Sequence, residues 1–267
     1  MENKLTTASC FLFDMDGTIY LGERLLPGAL DFINYLKENQ IPYYFLTNNS
    51  SRSRADYVTK LNNMGLPSPE EKIFSSGEAT AIFLQKQKPG ARIYLVGTPS
   101  LEREFIRFGF ELTDLKPDYA VLGFDTTLTY EKLRKLCALV TAGVPYIATH
   151  PDINCPTEDG FIPDIGSIMA LVSTSTGRDA DIIIGKPHKP IVEAIVEKTG
   201  FQPDEIIMVG DRLYTDIALG KSGLSTVLVL SGEAKIEDLE KAPHQPDFIA
   251  ENIADLHTQY LAAQKSK

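Results

Sequence analysis

Asp14-Met15-Asp16-Gly17-Thr18 sets two carboxylates two residues apart, directly behind the short apolar run Cys10 to Phe13. Along an extended chain, residues i and i+2 point the same way, so Asp14 and Asp16 are expected to face one side. Two carboxylates that close repel each other, and a bound cation removes the cost. Gly17 permits a sharp turn behind them. An aspartate-rich turn that closes a strand has the same spacing, so this motif by itself leaves both readings open.

Three further segments carry reactive types. Thr47-Asn48-Asn49-Ser50-Ser51 ends an apolar strand and precedes a helix. Hydroxyl, amide and backbone N–H groups there suit a phosphate, and plain helix capping uses the same residues. Gly185-Lys186-Pro187 offers a lysine behind another apolar run, either as a point charge for an anion or as a solvated loop side chain. Val209-Gly210-Asp211-Arg212-Leu213-Tyr214-Thr215-Asp216 adds two carboxylates, which suit magnesium or the cap and first turn of a helix. Gly220-Lys221-Ser222 looks like the end of a phosphate-binding loop, but Thr215 stands where that pattern needs glycine.

The elements that must position these residues follow from periodicity. Ala29, Leu30, Phe32, Ile33 and Leu36 recur at helical spacing over 28–39, and Ala55, Val58, Leu61 and Met64 over 52–64. Ile41 to Leu46, Ile182 to Ile184, Ile206 to Val209 and Thr226 to Leu230 read as buried strands, with helices at 189–199 and 215–221. Strand and helix alternate in the rhythm of a parallel sheet covered on both faces. All four motifs then fall at strand ends of one sheet, the rim where such sheets bind ligands. Their predicted convergence carries more weight than any one of them.

The middle of the chain reads as a second α/β unit. Ile93 to Val96, Tyr119 to Gly123 and Tyr146 to Ala148 are its strands. Residues 149–166, rich in Pro, Asp and Gly, are expected to form one long loop. The expected division is a discontinuous domain of 1–80 and 181–267 around an inserted one at 81–180.

Composition narrows the function. The 267 residues carry a net charge of -10, which argues against a nucleic-acid binder that neutralises backbone phosphate. No apolar run reaches the roughly 18 to 20 residues a membrane span needs. The N-terminal apolar run is short for a signal peptide. Cys10, Cys137 and Cys155 are odd in number and widely spaced, so neither a disulfide framework nor a zinc site is expected. A cytoplasmic protein without membrane or nucleic-acid partners is the expectation.

In order and separation, DMDGT, LTNNSSRS, GKP and GDRLYTDI resemble the motifs of the haloacid dehalogenase (HAD) superfamily. Within it the chain looks like subfamily IIA, the NagD-like and 4-nitrophenylphosphatase-like enzymes. The resemblance covers nearly the whole chain. It implies a doubly wound, Rossmann-like parallel core sheet with an inserted α/β cap of the C2 type. It also implies a Mg2+-dependent phosphatase acting on small phosphorylated metabolites through an aspartyl-phosphate. Asp14 would be the nucleophile, and Asp16 the acid for the leaving alcohol, then the base for water. Thr47 and Asn48, with Asn49 beside them, would bind the phosphoryl group, and Lys186 would hold it against Asp14. Magnesium would bind Asp14, the backbone carbonyl of Asp16 and Asp211, with Asp216 supporting its waters. An exposed cap surface could also pair two subunits as a homodimer. A phosphomutase, a transferase to another hydroxyl, or a non-catalytic phosphometabolite binder would use the same residues. A dehalogenase would need neither Asp16 nor the magnesium carboxylates.

One region departs from the family. Thr149-His150-Pro151-Asp152, and later Pro163-Asp164-Ile165-Gly166, stand where it often shows a TNPD segment and then a Pro-Gly turn. This stretch resembles the cap's specificity loop. His150 is a candidate substrate contact, with a structural hydrogen bond as the alternative. His188, His244 and His257 are assigned no role.

Overall fold

The computed structural model describes residues 4–157 and 160–265. A short helix α1 (Lys4–Thr7) leads into β1 (Cys10–Phe13), whose residues are all buried. A strand covered on both faces has no reason to alternate, and CFLF does not. The ribbon of β2 (Tyr20–Leu21) and β3 (Arg24–Leu25) follows, then α2 (Ala29–Glu38), β4 (Tyr43–Thr47), α3 (Arg54–Asn63) and β5 (Ile73–Ser75). Next come α4 (Ser76–Gln87), β6 (Arg92–Val96), α5 (Pro99–Arg107), β7 (Glu111–Leu112), β8 (Tyr119–Leu122), α6 (Tyr130–Thr141) and β9 (Tyr146–Ala148). After them stand β10 (Asn154–Thr157), β11 (Gly160–Pro163), α7 (Ile165–Thr176), β12 (Ile182–Ile183) and α8 (Lys189–Thr199). The last elements are β13 (Ile206–Gly210), β14 (Ser225–Val229), β15 (Phe248–Ala250) and α9 (Ile253–Lys265).

These elements form two compact units. The first comprises the described residues of Met1–Thr47, Tyr57–Phe74 and Ile195–Lys267, and the second those of Asn48–Asp56 and Ser75–Ala194. The range 81–180 lies inside the second unit, which also takes in 48–56, 75–80 and 181–194.

The first unit holds a sheet of order β15-β14-β13-β1-β4-β5. Its pairs β4–β1, β1–β13, β13–β14 and β14–β15 are parallel. Chain order reverses at β1, with β4 and β5 on one side and β13 to β15 on the other. This is a doubly wound sheet, and its switch point lies between β1 and β13. Phe11 and Phe13 pack edge-on against Phe32 of α2 at 5.6 and 5.9 Å, and Phe11 also meets Tyr260 of α9 at 5.6 Å. These aromatic contacts clamp both helices onto the central strand.

The second unit has its own parallel sheet, of order β12-β9-β8-β6-β7. Its core gathers Val96, Leu122, Leu136, Ala148 and Val172. Two expectations are corrected here. Ile182 and Ile183, read as a strand of the motif-bearing sheet, pair instead with Ile147 and Ala148 in this second sheet. The motif at Lys186 therefore follows a strand of the other unit, and the four motifs do not share one sheet. Residues 149–166 are not one long loop, because β10 and β11 pair as an antiparallel ribbon. Pro156 and Pro163 hid these strands, yet an isolated two-stranded ribbon tolerates proline on its open edges. Residues 158 and 159 lie outside the described residues.

The three cysteines are free thiols, and burial pushes the Cys10 thiol up to about 12. Among the described residues, no helix is long and apolar enough to cross a membrane.

Candidate active site

Register brings the first acids together. Phe13 pairs with Val209, and the Asp14 N–H donates to the Val209 carbonyl at 2.8 Å. Asp14 and Asp211 therefore leave neighbouring strands side by side at the switch point. Behind Asp211 the chain turns tightly, with the Asp216 N–H donating to the Arg212 carbonyl at 3.0 Å. The Arg212 N–H in turn donates to Asp216 Oδ2 at 3.1 Å. Carboxylate oxygens of Asp14, Asp211 and Asp216 all lie within 4.8 Å of one another. These residues keep only 8%, 2% and 0% of their surface exposed.

Three buried carboxylates this close repel strongly unless a cation lies among them. The donor set is all oxygen, with no thiolate or imidazole, and it fits a hard divalent ion such as magnesium. Gly17 closes one wall at φ 85°, where a side chain would be strained. A Cβ there would also strike the Asp211 carboxylate.

Asp16 is not one of that trio. The chain bends at Met15 instead of staying extended, so the alternation expected to align the carboxylates of Asp14 and Asp16 does not apply. Asp16 bridges to Tyr20, whose hydroxyl donates to Asp16 Oδ2 at 3.2 Å. Burial, followed by the charge of Asp16, holds the Tyr20 phenol well above its ordinary range, so it stays a donor. Nothing in the motif signalled Tyr20. Only the turn at Gly17, which returns the chain to pair Tyr20 with Leu25, brings it back.

The second unit gathers another group. The Asn48 side chain donates to the Lys186 carbonyl at 3.0 Å and to Asp152 Oδ1 at 2.9 Å. Its Oδ1 accepts the Lys186 N–H at 2.8 Å. An amide has two N–H donors, and both are engaged. The Asn48 side chain thus fixes the backbone of Lys186. Asn49 Oδ1 accepts the N–H and hydroxyl of Ser51 at 2.9 and 2.7 Å, which shapes the loop. Thr47 is buried at the end of β4, beside β1.

The sequence offers His150 as a substrate contact or as a structural histidine. It has no exposed surface. Its Nε2 lies 3.0 Å from Asp164 Oδ1, and its Nδ1 lies 3.1 Å from the Thr149 hydroxyl and 3.3 Å from that of Ser76. The two residues that depart from the family pattern are thus partners of each other. Asp164 Oδ1 also accepts the Ile165 N–H at 2.6 Å and caps α7. Asp152 and Asp164 stand in the two segments that depart from the family pattern, but their roles appear only through these contacts.

A doubly wound parallel sheet with a carboxylate trio at its switch point defines a class of α/β enzymes that handle anionic substrates with a hard metal. The chain matches the family described as haloacid dehalogenase-like hydrolase over residues 11–111, and the HAD-hydrolase-like family over 183–256. It is 35% identical to the 5'-nucleotidase YutF of Bacillus subtilis, across 93% of this chain and 99% of that one. It is also 35% identical to an acid sugar phosphatase of Staphylococcus epidermidis, across 96% and 98%. The crystal structure of a 4-nitrophenylphosphatase from Thermotoga maritima superposes with a TM-score of 0.92 at 50% identity, covering 96% of this chain and 98% of that one. The chain belongs to the haloacid dehalogenase-like hydrolases, in their NagD-like and 4-nitrophenylphosphatase-like group, and is a phosphoric monoester hydrolase.

Proposed function

We propose that this protein hydrolyses small phosphomonoesters with magnesium, through a phosphoryl group carried on Asp14. The observation that carries the reading is the trio of Asp14, Asp211 and Asp216 at the switch point, with Asp16, two residues beyond Asp14, accepting the Tyr20 hydroxyl. An Asp14 oxygen attacks phosphorus and forms the new P–O bond while the bond to the leaving oxygen breaks. Asp16 gives its proton to that oxygen. It then takes a proton from water, which attacks phosphorus and releases phosphate from Asp14. Thr47 and Lys186 carry the charge of the phosphoryl group. A magnesium ion held by Asp14, Asp211 and the Asp16 carbonyl, with Asp216 supporting its waters, would offset the charge that otherwise keeps a carboxylate from a phosphate. A covalent intermediate divides one hard displacement into two easier ones.

The names of the relatives, a 5'-nucleotidase and an acid sugar phosphatase, support nucleotides and sugar phosphates as substrates. In this reading the first unit supplies Asp14, Asp16 and the metal-binding carboxylates, and the second, which contains residues 81–180, supplies Lys186 and selects the leaving group. A homodimer through the second unit belongs to the same proposal, supported by exposed Ile106, Leu115, Phe161 and Leu171.

The test is release of phosphate from 4-nitrophenyl phosphate with magnesium. Asp14→Asn is expected to lose about 10⁴-fold or more in kcat, since no other residue replaces the nucleophile. Activity at the wild-type level in that variant overturns the mechanism.

A further inference from the structure

The turn that follows β14 grips Asp211, and both lie in the first unit. β14 runs beside β13, with Gly210 paired to Leu228, so the chain leaving β14 emerges next to Asp211. It turns through Ser231-Gly232-Glu233-Ala234, a segment outside all four motifs. Two successive N–H groups of this turn hold Asp211. The Glu233 N–H donates to Asp211 Oδ2 at 2.7 Å, and the Ala234 N–H donates to the Asp211 carbonyl at 3.1 Å. A backbone N–H on a carboxylate oxygen is a charge-assisted bond, and it sets the orientation of the carboxylate.

Glu233 also holds the loop behind Asp211 through its side chain. Its Oε1 accepts the Tyr214 hydroxyl at 2.7 Å, and its Oε2 lies 3.0 Å from the Arg212 guanidinium. Ala234 is buried in an apolar cluster with Leu213 and Leu228, which anchors the end of the turn. At Gly232 a Cβ would strike the Asp211 carboxylate, so the close approach of the turn needs glycine there.

The same turn reaches the loop after β1. The Ser231 hydroxyl donates to the Gly17 carbonyl at 2.8 Å. The Gly17 N–H donates to the Tyr20 carbonyl, also at 2.8 Å. Both backbone polar groups of Gly17 are thus engaged. A peptide unit is planar and trans, so fixing the Gly17 N–H also sets the direction of the Asp16 carbonyl in the same unit. That carbonyl and the Asp211 carboxylate are two of the ligands in the magnesium reading. One short turn therefore ties the two loops that carry them, through Ser231 on one and Glu233 on the other.

We infer that Ser231 and Glu233 are positioning residues, and that the turn they form locks the Asp16–Gly17 backbone and the Asp211 carboxylate in fixed relation to each other for a small divalent cation. The inference rests on the reading of the carboxylate trio as a magnesium site. Magnesium demands near-ideal octahedral geometry at about 2.0–2.1 Å, so looser ligand spacing weakens it. Calcium is larger and accepts irregular geometry. Loosening the turn should therefore lower the affinity for magnesium more than that for calcium.

The test is titration calorimetry of magnesium, and separately of calcium, into the full chain. Ser231→Ala changes no charge. Its magnesium affinity is expected to fall about 5-fold, the contribution of one hydrogen bond, while its calcium affinity changes by less than about 2-fold. Glu233→Ala truncates an exposed side chain and covers the case in which Ser231→Ala does not fold. It should show the same bias towards calcium, with Glu233→Gln, which keeps an acceptor for Tyr214, between it and wild type. In turnover of 4-nitrophenyl phosphate, the magnesium concentration for half-maximal rate should rise by the same factor, and excess magnesium should recover the rate. Unchanged magnesium affinity in every variant that folds, or equal losses for the two cations, overturns the inference and leaves the magnesium reading standing. No binding of magnesium to wild type overturns both. The expected losses of affinity in a protein that releases no phosphate support the inference and show that the hydrolase reading is the one that fails.

Discussion

Asp16 has its geometry set by one phenol. Tyr20 has no exposed surface and donates to Asp16 Oδ2 at 3.2 Å, while the Lys60 ammonium lies 4.0 Å above its ring. A proton donor must meet the leaving oxygen in a narrow range of positions, and a loosened carboxylate spends less time there. Tyr20→Phe keeps the ring and its packing and removes only the hydroxyl. The expected result is a fall of about 10-fold in kcat for 4-nitrophenyl phosphate, with a smaller change in KM and an unaltered circular dichroism spectrum. A kcat equal to wild type would show that Asp16 does not depend on Tyr20. Asn48 teaches a related lesson. Its residue type suits a phosphate, yet both amide donors are taken by Lys186 and Asp152. Residue type gives what a side chain can do, and the count of satisfied donors decides what is left for a ligand.

The elements sort into those a local pattern reveals and those that need a partner to be seen. Helix α8 was expected at 189–199 and spans Lys189–Thr199, and β9 was expected and found at Tyr146–Ala148. Long periodic runs and fully apolar strands carry their own signal, because burial is written in one stretch of sequence. Sheet membership is not local. Ile182-Ile183 reads as a strand anywhere, but only its pairing with β9 assigns it to the second sheet. The β10–β11 ribbon was invisible for a similar reason: its burial pattern is almost wholly exposed, so no hydrophobic alternation announces it. At the site, the acids after β1 and β13 were legible from their motifs, whereas Tyr20, Asp152 and the His150–Asp164 pair were not. That pair closes the base of the ribbon, joining residues on either side of it at 3.0 Å. His150→Ala leaves the Asp164 carboxylate buried with a partner removed, which typically costs about 1–3 kcal/mol. The expected outcome is a lower thermal midpoint and faster proteolytic cutting within 151–163, read by mass spectrometry of the fragments. Equal cutting rates in both proteins would mean that the ribbon is anchored elsewhere.

At the scale of the whole molecule, the two units differ in what holds them. The second is built on its apolar core and on buried ion pairs such as Arg54 with Glu78 and Glu104, both at 3.1 Å. The first carries three crowded carboxylates within a chain whose net charge is already -10. Repulsion among Asp14, Asp211 and Asp216 opposes folding of the first unit, and a divalent cation that binds only the folded form reverses that. At a magnesium concentration 100 times its dissociation constant the gain is about 2.7 kcal/mol. For a protein of this size that corresponds to a rise of roughly 5–10 °C in Tm. The effect should not be shared equally. If calorimetry resolves two transitions, the one belonging to the first unit should move with magnesium while the other stays within about 1 °C, because only the first unit holds the trio. Asp211→Asn removes one ligand and one unit of repulsion together. Its metal-free form is therefore expected to melt at or above the metal-free wild type, while its magnesium response shrinks to the level seen with an equal ionic strength of sodium chloride. A full magnesium shift retained in Asp211→Asn, or one equal in both transitions, would show that the cation acts on the overall negative charge and not on the trio.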